Sequence, residues 1–226
     1  MPSAVNQVTD ACLVLMFKAP ARSKRRLAGT IGAQADELAA RLFDCACEDL
    51  GAWAGPVCFA PAEAADAAWL SAAIGAQPLV VLQGEGNLGR RINRVNAALE
   101  GAGLARQIFL GIDCPVLDAA YLAEATAALG ANDLVIGPAV DGGAVLIATR
   151  RLLPALEALP WSTAALGAAL QERVDALGWR HAVLQTRADI DTLQDLATAA
   201  AALEADPRPA RIALRRCLEQ VRGAAR

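Results

Sequence analysis

Lysine and histidine are scarce in this chain. Among 226 residues and 21 lysines plus arginines, only Lys18 and Lys24 are lysines, and His181 is the single histidine. With one imidazole and no Cys-x-x-Cys pair, a zinc site of the usual kind is not expected. The cysteines Cys12, Cys45, Cys47, Cys58, Cys114 and Cys217 fall in expected strands or helices or stand alone. That is the pattern of small buried hydrophobes in a reducing compartment. A basic excess is missing too: 21 basic against 24 acidic residues leave a net charge of −3, which argues against a nucleic-acid partner. No apolar run approaches the ~20 residues of a spanning helix. A basic start followed by an apolar stretch and a cleavage site is also missing. The expectation is a cytoplasmic protein with no membrane partner.

What is abundant is alanine, about a quarter of the chain. It accounts for much of the mean hydropathy of +0.34, and alanine marks helix rather than membrane. Hydrophobic residues make up 55% and charged residues 20%, a balance that excludes a mainly disordered chain. The length suits one α/β domain. Biased codon usage would favour arginine and alanine together. It would not place both lysines within the seven residues from 18 to 24.

Apolar runs alternate with helix-period segments. Ala11–Phe17 reads as a strand buried on both faces, and further strands are expected at 57–60, 79–83, 107–112, 134–137, 144–149 and 181–185. Helices are expected at 35–50, 61–74, 88–99, 121–129, 164–177 and 192–203, the fifth capped by Ser162 or Thr163. This alternation predicts a mostly parallel sheet covered by helices on both faces, with ligands bound beyond the carboxyl ends of the strands. Residues 1–206 read as one domain. Asp206-Pro207-Arg208-Pro209 breaks the chain, and 207–226 reads as a basic helical appendage, either a terminal helix or a homodimer contact.

Four loops and one late segment concentrate chemistry. Lys18 to Arg26 places five cations after the first strand, including Lys18, Lys24 and Arg26, a compact site suited to phosphate. Gln83 to Arg91 carries Gly84 and Gly86, which permit close backbone approach to a ligand ahead of a helix N-terminus. Asp113 ends a strand before Cys114-Pro115, where a carboxylate can meet a divalent metal bridging phosphates. Asp141-Gly142-Gly143 makes a turn between strands, and Asp141 can face the same pocket. Asp189 and Asp191 precede a helix and are expected to divide their work, one reaching a metal and the other capping the helix.

In this order the motifs resemble one family. Phe17-Lys18-x-Pro20 with Arg26-Leu27, QGEGNLGRR, GIDCPVL, DLVIGPAVDGG, WST and DIDTLQDL are similar to the bacterial GT-A-like transferases of the DUF2064 family. That family is in turn similar to lactate-phosphate guanylyltransferases. The resemblance runs from Leu13 to about Leu196. It implies a three-layer α/β/α sandwich of the nucleotide-diphospho-sugar transferase kind, and transfer from a nucleotide or nucleotide-sugar donor to an acceptor, with Mg or Mn: glycosyl transfer first, with nucleotidyl transfer releasing pyrophosphate, or a nonenzymatic nucleotide-binding module with a degenerate site, as the alternatives. It implies phosphate on Lys18, Lys24 and Arg26, with Asp113 the main metal ligand. Asp189 or Asp191 would complete the shell, and Gly84, Gly86, Asp141, Gly142 and Gly143 would lie beside the nucleotide. The chain departs from the family pattern at Ala21, Arg25 and Ala144, where glycine, threonine and an aromatic residue are usual.

Overall fold

The computed structural model describes residues 9–75 and 77–224. Its centre is β1 (Cys12–Phe17), wholly buried. Because successive side chains of a strand face opposite ways, β1 feeds two cores. Leu13, Leu15 and Phe17 join one apolar cluster, and Cys12, Val14 and Met16 the other.

Around it stand β2 (Val57–Pro61), β3 (Leu79–Val80), β4 (Gln107–Leu110), β5 (Leu134–Pro138), β6 (Ala144–Thr149) and β7 (His181–Val183). They form one seven-stranded sheet in the order β3-β2-β1-β4-β6-β5-β7. β6 runs antiparallel to β4 and β5, and the other pairings are parallel. All strands except β6 therefore point the same way. The loops after β1, β3, β4, β5 and β7 emerge at a single edge, which is what brings distant residues together.

The helices are α1 (Arg25–Ile31), α2 (Gln34–Gly51), α3 (Ala64–Ile74), α4 (Leu88–Gly101), α5 (Ala119–Ala131), α6 (Leu166–Asp175), α7 (Leu193–Ala202) and α8 (Pro209–Ala224). Leu38 and Leu42 of α2, Leu70 of α3, Leu122 of α5, Leu196 of α7 and Leu214 of α8 cover one face. Ile92, Val95 and Leu99 of α4, with Leu170 and Val174 of α6, cover the other. The three-layer α/β/α sandwich with a mostly parallel sheet is thus present. Among the described residues no helix is long and apolar enough to cross a membrane. All six cysteines are free, and only Cys47 is partly exposed.

Four local expectations need correction. α1 is absent from the expected helices; it continues directly from the cationic loop, and its sequence RRLAGTI offers only one turn of apolar signal. The strand expected at 79–83 stops at Val80, although Val81 and Gln83 still donate to Phe59 and Pro61 of β2. Neither Ser162 nor Thr163 caps α6. Ala165 does so with no side-chain bond, and Ser162 has φ 63°, outside the extended region a capping residue uses. Finally, the segment read as an appendage packs inward. Leu214, Cys217, Leu218 and Val221 of α8 are buried in the core.

Candidate functional site

The carboxyl edge of the sheet opens into a cleft of about 660 Å³. Lys18, Arg22, Lys24, Arg25, Arg26, Gly86, Arg91, Asp113, Asp189 and Asp191 line it, with Leu88, Ala144 and Trp161 supplying apolar wall.

The cationic loop is held from below by Asp66 of α3. This carboxylate is 0% exposed and accepts from the Ala19 N–H at 3.1 Å and from the Glu63 N–H at 3.1 Å. Glu63 and Asp66 form a reciprocal cap on α3, and Arg22 pairs with both. One of the five cations is therefore consumed in anchoring the loop.

Lys24 is consumed as well. Its side chain is 5% exposed, and Nζ lies 2.6 Å from Asp113 Oδ1 and 2.9 Å from Asp191 Oδ1. It also donates to the Ile190 carbonyl. Its backbone sits in the left-handed region at φ 44°, a conformation that costs a non-glycine residue of order 1 kcal/mol and persists only where its surroundings fix it. Burial pulls the ammonium down, but the two carboxylates more than reverse this and leave its pKa above the ordinary lysine value. Among the described residues Lys18, Arg25 and Arg26 have no carboxylate partner. Among the same residues the Nε of Arg91 is buried without an acceptor. These cations are the ones free to meet an anion.

The acids converge from three loops. One carboxylate oxygen each from Asp141, Asp189 and Asp191 lies within 4.8 Å of the others. Asp141 reaches the group because the β5–β6 turn is tied to the late segment: Val140 N–H donates to Arg187 O at 3.1 Å, and Arg187 N–H to Pro138 O at 2.9 Å. Asp189 and Asp191 do not divide their work as expected. Residues two apart in extended backbone share a face, and the helix is capped instead by Thr192 and Asp195. Burial first, then Asp141, Asp191 and Asp113, push the Asp189 carboxyl up to about 6. A crowd of carboxylates with all-oxygen donors suits a hard divalent cation such as Mg²⁺ or Mn²⁺. Asp113 stands beside this group, bound to Lys24 rather than within the triad.

The glycines serve different ends. Gly86 lines the cleft, whereas the Cβ position of Gly84 is filled by the Arg94 guanidinium. Gly142 has φ +88°, and a Cβ there would stand 2.3 Å from Ala164 O; its carbonyl accepts from Gly167 N–H at 3.1 Å. Gly142 thus docks the β5–β6 turn onto the start of α6, and the Gly143 N–H donates to Asp141 Oδ1 at 2.8 Å. The thiol of Cys114, pushed up to about 12 chiefly by burial, is no nucleophile.

Sequence reasoning missed the anchoring Asp66, the orphaned Arg91 Nε, and Trp161 as a wall. The Glu63-x-x-Asp66 spacing before a helix was the signal for the first. Arg91 and Trp161 fall within the motifs QGEGNLGRR and WST, but nothing in those motifs gives either side chain its place in the cleft.

A family model described as "Uncharacterized protein conserved in bacteria (DUF2064)" matches residues 20–163. The fold is similar to that of a protein from Desulfovibrio desulfuricans G20 provisionally named a nucleotide-diphospho-sugar transferase. The TM-score is 0.82 at 23% identity, covering 94% of this chain and 98% of that one. It is also similar to a 4-diphosphocytidyl-2C-methyl-D-erythritol synthase, with TM-score 0.53 and 15% identity over 85% of this chain and 99% of the other. A cytidylyltransferase from Leptospira borgpetersenii serovar Hardjo-bovis (strain JB197) gives 0.52 and 14% over 95% of each chain. No curated protein matches.

Proposed function

The chain belongs to the DUF2064 family, and on that premise we propose that it is a metal-dependent transferase acting on a nucleotide-activated donor. The observation that carries this reading is the meeting of unpaired cations and crowded acids across one cleft. Lys18, Arg25, Arg26 and Arg91 would take the donor phosphates through charge-assisted hydrogen bonds. Asp141, Asp189 and Asp191 would hold Mg²⁺ or Mn²⁺, which when bound neutralises charge developing on the phosphates. Lys24 keeps Asp113 and Asp191 together while the free cations stabilise the departing group, a nucleoside diphosphate in glycosyl transfer or pyrophosphate in nucleotidyl transfer. Gly86 leaves room for the nucleotide, and the acceptor would enter past Ala144 and Trp161.

The leading form is glycosyl transfer from a nucleotide sugar, in line with the neighbour named for that donor class. The likeness to two cytidylyl-type folds favours a second form, nucleotidyl transfer with release of pyrophosphate. A donor panel assayed with Mg²⁺ and Mn²⁺ separates them. Nucleoside diphosphate release supports the first, and pyrophosphate release with the nucleoside monophosphate kept in the product supports the second. Failure of every donor to bind or turn over would leave a nucleotide-free fold and sink both.

A further inference from the structure

Arginine is seldom fully buried, because its charge and five donors all need partners. Arg211 of α8 is 0% exposed. Two acceptors come from α2 carboxylates, Asp49 Oδ2 at 2.5 Å and Glu48 Oε2 at 3.0 Å, and one is the Cys45 carbonyl. The remaining two are Pro115 O at 3.2 Å and Leu117 O at 3.3 Å. Arg208, one turn earlier, donates to Leu117 O at 3.0 Å and to Asp49 Oδ1 at 2.7 Å.

Pro115 and Leu117 belong to the loop that follows Asp113. That loop is also fastened to the late acids: Ile190 N–H donates to Asp113 O at 2.9 Å, and Cys114 Sγ to Ala188 O at 3.3 Å. A buried ion pair is a poor way to stabilise a core, since desolvation of both ions offsets their attraction. α8 already has an apolar face that seals the core. What the guanidinium adds is a grip on two backbone carbonyls beside the site.

We infer that Arg211, assisted by Arg208, is a positioning residue. It clamps loop 113–117 from the C-terminal helix and, through that loop, holds 188–191 so that Asp113 and Asp191 both meet Lys24. Arg208 and Arg211 lie outside the segment that the family model matches, while the carboxylates and carbonyls they hold lie within it. Its bearing on turnover rests on the transferase reading; its bearing on loop order does not.

Hydrogen exchange on the full chain tests it, comparing Arg211→Lys with Leu218→Ala. Lysine keeps the charge but lacks the planar fork that reaches both carbonyls. Leu218 is buried on the same helix with 0% exposure, so Leu218→Ala weakens the α8 packing while leaving the guanidinium–carbonyl hydrogen bonds in place. The amides of 113, 114, 116, 117 and 188–191 should exchange about 10-fold faster in Arg211→Lys, the size expected when a charge-assisted hydrogen bond to the loop is lost, and at the wild-type rate in Leu218→Ala. Equal acceleration in both variants, or acceleration confined to α8 and α2, would overturn the inference. Should Arg211→Lys not fold, Arg208→Lys reads the same amides by the same criteria. With a donor in hand, kcat should fall and donor KM hold. A wild-type chain that turns over no donor would defeat the transferase reading, while the exchange contrast still decides the role of Arg211.

Discussion

The ammonium of Lys24 stands 2.6 Å from the carboxylate of Asp113. The two residues are far apart in sequence, one after β1 and the other after β4, and parallel pairing of those strands sets them side by side. The same ammonium reaches Asp191 after β7. A residue whose loop reads as a phosphate cradle thus works as an internal counter-ion for two acids.

Lys24→Ala should therefore lower stability. Removing one partner of a fully buried pair costs about 3–5 kcal/mol. Here Asp113 and Asp191 are 43% and 49% exposed, and water takes over part of the lost attraction. The expected loss is about 1–2 kcal/mol, read from urea unfolding. An unchanged midpoint would show that the pairing contributes nothing.

Lys18→Ala and Arg26→Ala should behave in the opposite way. Neither side chain has a carboxylate partner among the described residues, so stability should hold within about 0.5 kcal/mol, as for ordinary surface changes. Affinity for inorganic pyrophosphate, a probe shared by both donor classes, should fall by about 1–3 kcal/mol per side chain. Calorimetry at two salt concentrations checks this. Wild-type affinity in both variants would move the phosphate site elsewhere.

Much of this site is legible in the residues alone. The continuous apolar run at 11–17 announces a central strand, and the alternation of strands and helices announces the edge at which the cleft opens. Asp113 at a strand end and the cation-rich loop follow from that alternation. The partnerships do not. Whether Lys24 faces a phosphate or two carboxylates depends on where a segment 167 residues away returns, and no local pattern encodes that. Arg211 is hidden for a related reason. A basic amphipathic tail looks solvated until acids on α2 and carbonyls beyond β4 are known to surround it.

Asp113→Ala should leave the fold intact, since its side chain is 43% exposed, and should lower metal-stimulated turnover about 100-fold. Circular dichroism checks the fold, and an assay with Mg²⁺ and after chelation checks the activity. Asp113 acts here through its pairing with Lys24 rather than as a ligand of the triad, so turnover that survives the substitution would show that this pairing does not position the acids.

Asp189 should make stability depend on pH. Its carboxyl, raised to about 6 by burial and by its acidic neighbours, has an ordinary value of 3.8. Between these values the folded chain keeps a proton that the unfolded chain has released. Folded stability must then fall as pH rises through that window, because the native state binds more protons there. Above it, Asp189 is held charged among like charges. Asp189→Asn removes the slope, so variant and wild type should melt alike near about pH 4 and the variant should melt higher at about pH 8. Thermal melts in metal-free buffer across the range give the comparison, and parallel curves would refute it. Mn²⁺ favours the charged carboxyl that it binds. It should therefore raise the wild-type melting temperature more at the high end than at the low end, and raise that of Asp189→Asn least. This reversal would separate a cation-binding cluster from acids that are crowded only by the path of the chain.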